Sequence, residues 1–293
     1  MSKQPPLPPI IVLGMHRSGT TMVTRLLQEV GVFIGHKKYH NLEAVYFQQL
    51  NQWVLDQLNL SWDRPGDGII HGEFAVENMK RVLEGHLNGF GRHQFLGWNK
   101  FIQYGNIREM DIPWGWKDPK NTLTIGLWKK IFPAAKIVTI CRNPIDVAAS
   151  LKVREEQLQQ RFQTRGGAVK RERNLDSKWI YNQSNRILNF REGINLWGEY
   201  NVLVKDVGEK YGSDVLQLQY ESFLEQPAEK LAELTKFVGV KVRAGAIETA
   251  VKDIDKSRQY AFLEKPELVE EYRRICDDAL VRTLGYGNLT ASR

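Results

Sequence analysis

The chain has 293 residues, 42% of them hydrophobic, which suffices for a sizeable core and suits an α/β domain of ordinary length. A mean hydropathy of −0.42, with no apolar run approaching the length of a membrane span, argues against an integral membrane protein. Forty-one Lys and Arg against 34 Asp and Glu give a formal charge of +7, which favours nucleic acid, anionic lipid, acidic glycan or a phosphorylated cofactor over cationic partners.

In chain order, residues 1–9 read as a proline-rich tail, and Ile10–Leu13 as a short buried-type strand. From Thr20 to Val30, Val23, Leu26, Leu27 and Val30 share one helical face, and Gly31 is a stop. Leu42, Val45, Tyr46, Leu50, Trp53, Val54 and Leu58 recur at helical spacing. Val76 to Leu87 reads as another helix, with "SWDRPGDG" as the loop between them. Thr122 to Ile131 is a helix that ends before Pro133. "KIVTIC", Lys136–Cys141, is rich in β-branched residues and reads as a central strand. Ile145–Arg154 returns to helix, with Pro144 in its first turn. Glu155–Asn189 is the least core-like segment, either a solvated insertion or a lid over the site. Val215–Tyr220 is a third strand, Pro227–Val238 a helix closed by Gly239, and Pro266–Leu284 a long terminal helix closed by Gly285. Strands alternating with helices predict an α/β fold, a single P-loop-type domain over 10–287 with a central, mainly parallel sheet flanked by helices, and a tail at 288–293.

Cys141 and Cys276 match no metal or redox spacing, and Cys141 reads as a buried thiol. The first residues, "MSKQPPLPPI", contain no apolar signal core, so the expected location is cytoplasmic, without an anchor.

"IIVLGMHRSGTTMVTRLL" places Gly14 after a strand and Gly19 before a helix. A helix N-terminus offers unpaired N–H groups and the positive end of the helix dipole to an anion. Arg17 adds a planar fork of donors, and Thr20 and Thr21 add hydroxyls. The lysine of a nucleotide-triphosphate loop is replaced by Thr20, which speaks against a kinase.

The string "GMHRSGTT" resembles the 5′-phosphosulfate loop of sulfotransferases that use 3′-phosphoadenosine 5′-phosphosulfate (PAPS). That resemblance implies that His16, Arg17, Ser18, Gly19, Thr20 and Thr21 contact the donor. "KIVTICRNPIDVAASLKVR" resembles the family's 3′-phosphate motif, which implies roles for Arg142 and Ser150. Trp-Lys-Asp-Pro at 116–119, "LNQWVLDQLNLSWDRP", "LQLQYESFLEQP" and "LVRTLGY" resemble further family segments, so the similarity spans nearly all of 10–287. Tyr220 is expected beside the adenine or at the core end of its strand. The late Arg-Lys-Gly loop of many eukaryotic members is absent, and "DKSRQYAF" takes its place through Lys256, Ser257 or Arg258.

The resemblance implies in-line transfer of a sulfuryl group from PAPS to a hydroxyl of a carbohydrate, lipid or small molecule, releasing adenosine 3′,5′-bisphosphate (PAP), without a metal. Arg17 would stabilise the leaving oxygen and Lys117 would be the second cation, or a salt-bridge partner of Asp118. In related members the base glutamate lies seven residues before Leu-Asn. Here the pair is Leu50 and Asn51, which points to Glu43, preceded by His40, Asn41 and Leu42 rather than Gly-Phe-Trp. Asp118 is the alternative base, followed by His40 and His16. Trp53, Trp62, Trp98 and Trp114 either line an acceptor site or fill the core. The competing readings are a non-catalytic polyanion-binding module and a P-loop kinase. No nucleic-acid recognition motif is present, and the oligomeric state is open.

Overall fold

A computed structural model of the chain describes residues 5–67, 70–164 and 182–289. The elements run β1 (Ile10–Leu13), α1 (Thr20–Glu29), α2 (Val45–Gln57), α3 (Glu73–Asn88), α4 (His93–Gln103), β2 (Gly115–Lys117), α5 (Asn121–Ile131), β3 (Lys136–Cys141), α6 (Pro144–Thr164), α7 (Phe190–Tyr211), β4 (Val215–Gln219), α8 (Tyr220–Glu225), α9 (Pro227–Phe237), α10 (Ala246–Val251), α11 (Pro266–Arg273) and α12 (Ala279–Thr283). They form two compact units, Met1–Arg142 with Tyr200–Gln259, and Asn143–Glu199 with Tyr260–Arg293.

The first unit holds a four-stranded sheet of order β2-β1-β3-β4, with every pairing parallel. Side chains alternate across each strand, so the two faces have separate cores. Ile11, Leu13 and Ile137 pack with Phe47, Phe95, Trp116 and Trp128 from the α2, α4 and α5 side. Ile10, Val12, Val138 and Ile140 pack with Val23, Leu26 and Leu27 of α1 and with Leu231 and Leu234 of α9. The rings of Phe47 and Trp116 stack at 3.9 Å, 5° from parallel. Trp114 is fully buried and fills the core, and half-buried Trp53 packs against the same core. The end of the proline-rich segment is tied in: Leu7 N–H donates to Met110 O (2.8 Å) and Lys136 N–H to Pro9 O (2.9 Å).

In the second unit, α6 opens with a reciprocal cap. Asp146 N–H donates to Asn143 Oδ1 and Asn143 Nδ2 to Asp146 Oδ2, both at 2.8 Å, with Pro144 at the first helical position. The helix continues to Thr164, ten residues beyond the expected end. Buried Glu155 accepts from the N–H groups of Gln183 and Ser184 and pairs with Arg154. The basic part of the expected insertion, 165–181, lies outside the described residues.

Several expectations change. The terminal helix is two: the Asp278 carboxylate accepts from the N–H groups of Leu280 and Val281 and starts a new helix, which breaks the apolar pattern at 274–278. Tyr220 opens α8 rather than ending β4. The helix expected from Leu42 begins at Val45, because the three residues before it belong to a hairpin. Cys141 is half-buried rather than buried. Among the described residues, no helix is long and apolar enough to cross a membrane.

Candidate active site

In an open parallel sheet, ligands bind beyond the carboxyl ends of the strands, where the strand order reverses. Here that crevice lies past Leu13 of β1 and Cys141 of β3, which pair in parallel. Both strands deliver the residues singled out by sequence.

The loop from Gly14 to Gly19 turns β1 into α1. Gly19 has φ of 105°, and a Cβ there would sit 2.4 Å from the Tyr220 ring. Arg17 also adopts the left-handed region (φ 68°) and is exposed. Such a conformation costs a non-glycine residue about 1–3 kcal/mol and persists only where the surroundings impose it. The surroundings do: Ser18 Oγ donates to Met15 O (2.6 Å), and the His16 ring packs edge-on against Trp62 at 4.7 Å and Tyr200 at 6.3 Å. Tyr200 OH in turn donates to Trp62 O at 2.8 Å. Trp62 is therefore a wall of the loop.

Helix α1 starts with Gly19 as N-cap and no side-chain cap, so its first N–H groups are left to the loop side. Thr20 is buried, while exposed Thr21 donates through Oγ1 to Asn41 O at 3.3 Å.

The second half assembles around Tyr220. The Arg142 guanidinium lies over the Tyr220 ring at 4.6 Å, and its Nη2 donates to Arg258 O at 2.9 Å. The "DKSRQYAF" segment therefore meets Arg142 through backbone. The Arg258 side chain is exposed and pairs with Asp255 (3.5 Å), whose carboxylate also takes the Ser257 N–H. Ser150 lies half-buried on α6, in the second unit.

Glu43 is presented by a hairpin. Tyr39 N–H donates to Glu43 O (2.9 Å), Leu42 N–H to Tyr39 O (2.9 Å), and Val45 N–H to Lys37 O (3.1 Å). Lys38 and Ala44 form the antiparallel bridge. Leu42 sits at φ 62°, the left-handed position of a three-residue hairpin loop closed by a bulge. The Asn41 side chain accepts from Glu43 N–H at 3.4 Å.

Across from it, Lys117, only 2% exposed, places Nζ 3.0 Å from Glu43 Oε1. The expected alternative pairing of Lys117 with Asp118 is not what the geometry brings together. Asp118 turns into the interior: Oδ2 accepts from Asn51 Nδ2 (2.9 Å) and Oδ1 from Lys120 N–H (3.0 Å). Full burial pushes its carboxyl up to about 6, opposed by Lys120 and reinforced by the nearby Glu43 charge.

Sequence reasoning missed Asn51 as a hub. Its Nδ2 also donates to Asn121 Oδ1 (2.8 Å), and its Oδ1 accepts from Thr124 Oγ1 and Trp128 Nε1, both at 2.8 Å. The available signal was one polar residue on the otherwise apolar face of α2. His40 is exposed at the hairpin tip. Among the described residues, no group of three or more His, Cys, Asp or Glu side chains is gathered as a metal site would need.

Comparison with known proteins places this geometry in context. A relative, an uncharacterised protein of Aquifex aeolicus (strain VF5), is 22% identical over 274 residues, 90% of this chain but 31% of its own length. This chain thus spans under a third of that relative. Similar solved structures include a sulfotransferase from Alicyclobacillus acidocaldarius (19% identical, covering 97% of this chain and 98% of that one, TM-score 0.49). Another is the sulfotransferase domain of the Synechococcus PCC 7002 olefin synthase (16%, 99% and 98%, TM-score 0.48). A third is mouse sulfotransferase SULT7A1 complexed with PAP (11%, 94% and 88%, TM-score 0.43). The family model described as "Sulfotransferase family" matches residues 8–244, most of the chain, and by that match the chain belongs to the sulfotransferase family.

Proposed function

We propose that the chain transfers a sulfuryl group from PAPS to an acceptor hydroxyl and releases PAP. The observation that carries this reading is the junction at Tyr220: its ring abuts Gly19 of the anion loop on one side and the Arg142 guanidinium on the other. Two cationic sites are thereby joined by an aromatic surface, the donor set a nucleotide with phosphate groups at two positions needs. The α1 N-terminus, without a side-chain cap, fits an anion in the same way.

PAPS supplies an activated sulfuryl group on a phosphate leaving group. In this reading Arg17 and the α1 N–H groups hold the phosphosulfate end, and Arg142, braced by the Arg258 backbone, holds the 3′-phosphate. Tyr220 borders the base. Glu43 takes the acceptor proton, with Lys117 fixing Oε1 so that Oε2 faces the hydroxyl. Lys117 and Arg17 supply positive charge where oxygen charge develops. Asp118, buried and bonded on both oxygens, holds the turn that aims Lys117, which supports giving the base role to Glu43 in this reading. The reading keeps a cytoplasmic location, supported by two free cysteines.

The test is thermal melting with PAP, with ATP plus magnesium, and without ligand. Ligand at a hundred times its Kd adds roughly 2.7 kcal/mol to a folded state that alone binds it. A rise with PAP, lost in Arg17→Ala and in Arg142→Ala, is expected. A rise with ATP and none with PAP overturns the reading in favour of a kinase, and stabilisation by heparin alone favours a polyanion-binding module.

A further inference from the structure

The segment that presents Glu43 has a composition of its own. "FIGHKKYHNL", Phe33 to Leu42, contains two lysines, two histidines and no acidic residue. Its hairpin register decides where those side chains go. Lys38 and Ala44 face each other as the bridge pair, and Tyr39 lies opposite Glu43. Successive residues point to opposite faces, so Lys37, Tyr39 and Glu43 share one face and Lys38 takes the other.

The side chains agree. Lys38 Nζ donates back to Gln28 Oε1 of α1 at 2.8 Å, and Ala44 is buried. Lys37 is exposed, Tyr39 is 44% exposed, and Glu43 reaches Lys117. Facing residues on such a ribbon have Cβ atoms about 5 Å apart, and diagonal ones about 7 Å. Tyr39 is therefore placed directly across from Glu43, with Lys37 on the diagonal of the same face.

The same strip continues onto α4. His36 and Lys37 N–H groups donate to Phe95 O (2.7 Å) and Gln94 O (3.1 Å), and the His36 ring lies 3.0 Å from where a Gly97 Cβ would be. Beyond Gly97, Trp98 is 57% exposed and stacks on His93 at 4.9 Å. The charged groups facing this strip are Lys37, Glu43 with its partner Lys117, and Lys100, whose Nζ lies over the Phe33 ring at 4.7 Å. Glu43 is matched by Lys117, which leaves the rest of the strip net positive.

The geometry points to an acceptor that carries an anionic group beside a ring: the ring rests on Tyr39, the hydroxyl meets Glu43, and the anionic group meets Lys37. Tyr39 supplies a flat, amphipathic surface for an aromatic or sugar ring. Lys37 discriminates by charge, because a neutral acceptor leaves its ammonium without a counterion while an anionic one gains the attraction. This assignment rests on the sulfotransferase reading above.

The experiment uses the full chain at saturating PAPS and matched acceptors: 4-hydroxyphenylacetate against its amide, and methyl glucuronide against methyl glucoside. Sulfated product gives kcat and KM for each. The expected result is that an acid exceeds its neutral partner in kcat/KM by about tenfold or more, the scale of one well-placed charge. Lys37→Glu should abolish that preference, mainly through KM, while Lys37→Arg keeps it and the PAP-induced rise in melting temperature stays intact in both. Equal use of acid and neutral partner, turnover of neither acid, or a preference that survives Lys37→Glu overturns the assignment while PAP binding stands. Loss of the PAP response in the unmodified chain overturns the parent reading instead, so the two failures are distinguishable.

Discussion

Lys117 and Asp118 are neighbours in sequence but belong to regions of opposite character. Lys117 pairs with Glu43 of the hairpin, whose Tyr39 and His40 are exposed. Asp118 looks in, to a cluster in which Asn51, Asn121, Thr124, Trp116 and Trp128 bond one another away from water. A buried polar group destabilises unless its bonds are made, and the inner cluster makes them. The outer region exposes Arg17, Lys37 and Tyr39 and holds Arg17 and Leu42 in left-handed backbone. Closed bonding marks the inner cluster as framework; the outer region is where the proposed function places the substrate.

The sharpest way to break that comparison is to remove one carboxylate from each region. Glu43→Gln keeps an oxygen for Lys117 to donate to but cannot take a proton, so kcat should fall about 10²–10⁴-fold while melting shifts far less. Asp118→Asn should do the reverse, because an amide nitrogen would face either Asn51 Nδ2 or Lys120 N–H. Steady-state rates and thermal melts on the two variants decide it. Loss of kcat in Asp118→Asn with its melting intact would exchange the roles.

The next largest effect is expected from Asn51→Ala, which leaves Trp128 Nε1 and an Asp118 oxygen without their partner, while Thr124 Oγ1 keeps Lys120 O at 3.3 Å. A cost of about 2 kcal/mol or more, at roughly 1–3 kcal/mol for each stranded group, should appear in urea denaturation. A loss below about 1 kcal/mol would mean that the cluster is not the framework argued for it.

The smallest effect is in pH. The Asp118 carboxyl is held up to about 6 from an ordinary 3.8, chiefly by burial. Between those values the folded chain keeps a proton that the unfolded chain has lost. Asp118 therefore makes stability fall as pH rises from about 4 to about 6, with its contribution fully present only below that window. Asp118→Asn should flatten this component. Glu43→Gln should move it to lower pH, because the Glu43 charge helps to raise the Asp118 value.

Much of the fold was legible. β1, β3 and β4 are apolar or β-branched runs, and α1, α5 and α9 have one apolar face with clear stops, so their local pattern and tertiary role agree. β2 was not, because three residues within a tryptophan-rich stretch carry no period. α4 was hidden by its break at Gly97, and the terminal helix was overextended because an aspartate cap interrupts a continuing apolar pattern. In the candidate site, the motif residues Arg17, Gly19 and Arg142 were legible as types. The meeting of Gly19 and Arg142 at Tyr220 was not, since it joins positions far apart in the chain.

By itself the sequence determined the α/β alternation, the glycine loop with Arg17 inside it and Thr20 where a kinase loop has lysine, and the second arginine at the end of a strand. Those follow from local rules: side-chain period, glycine freedom and helix capping act within a few residues. Only the tertiary structure decided which carboxylate faces outward, which asparagine ties the framework together, and which side chains share a face with Glu43. Burial and hydrogen-bond partners settle those choices, and both depend on segments that approach only after the chain has folded.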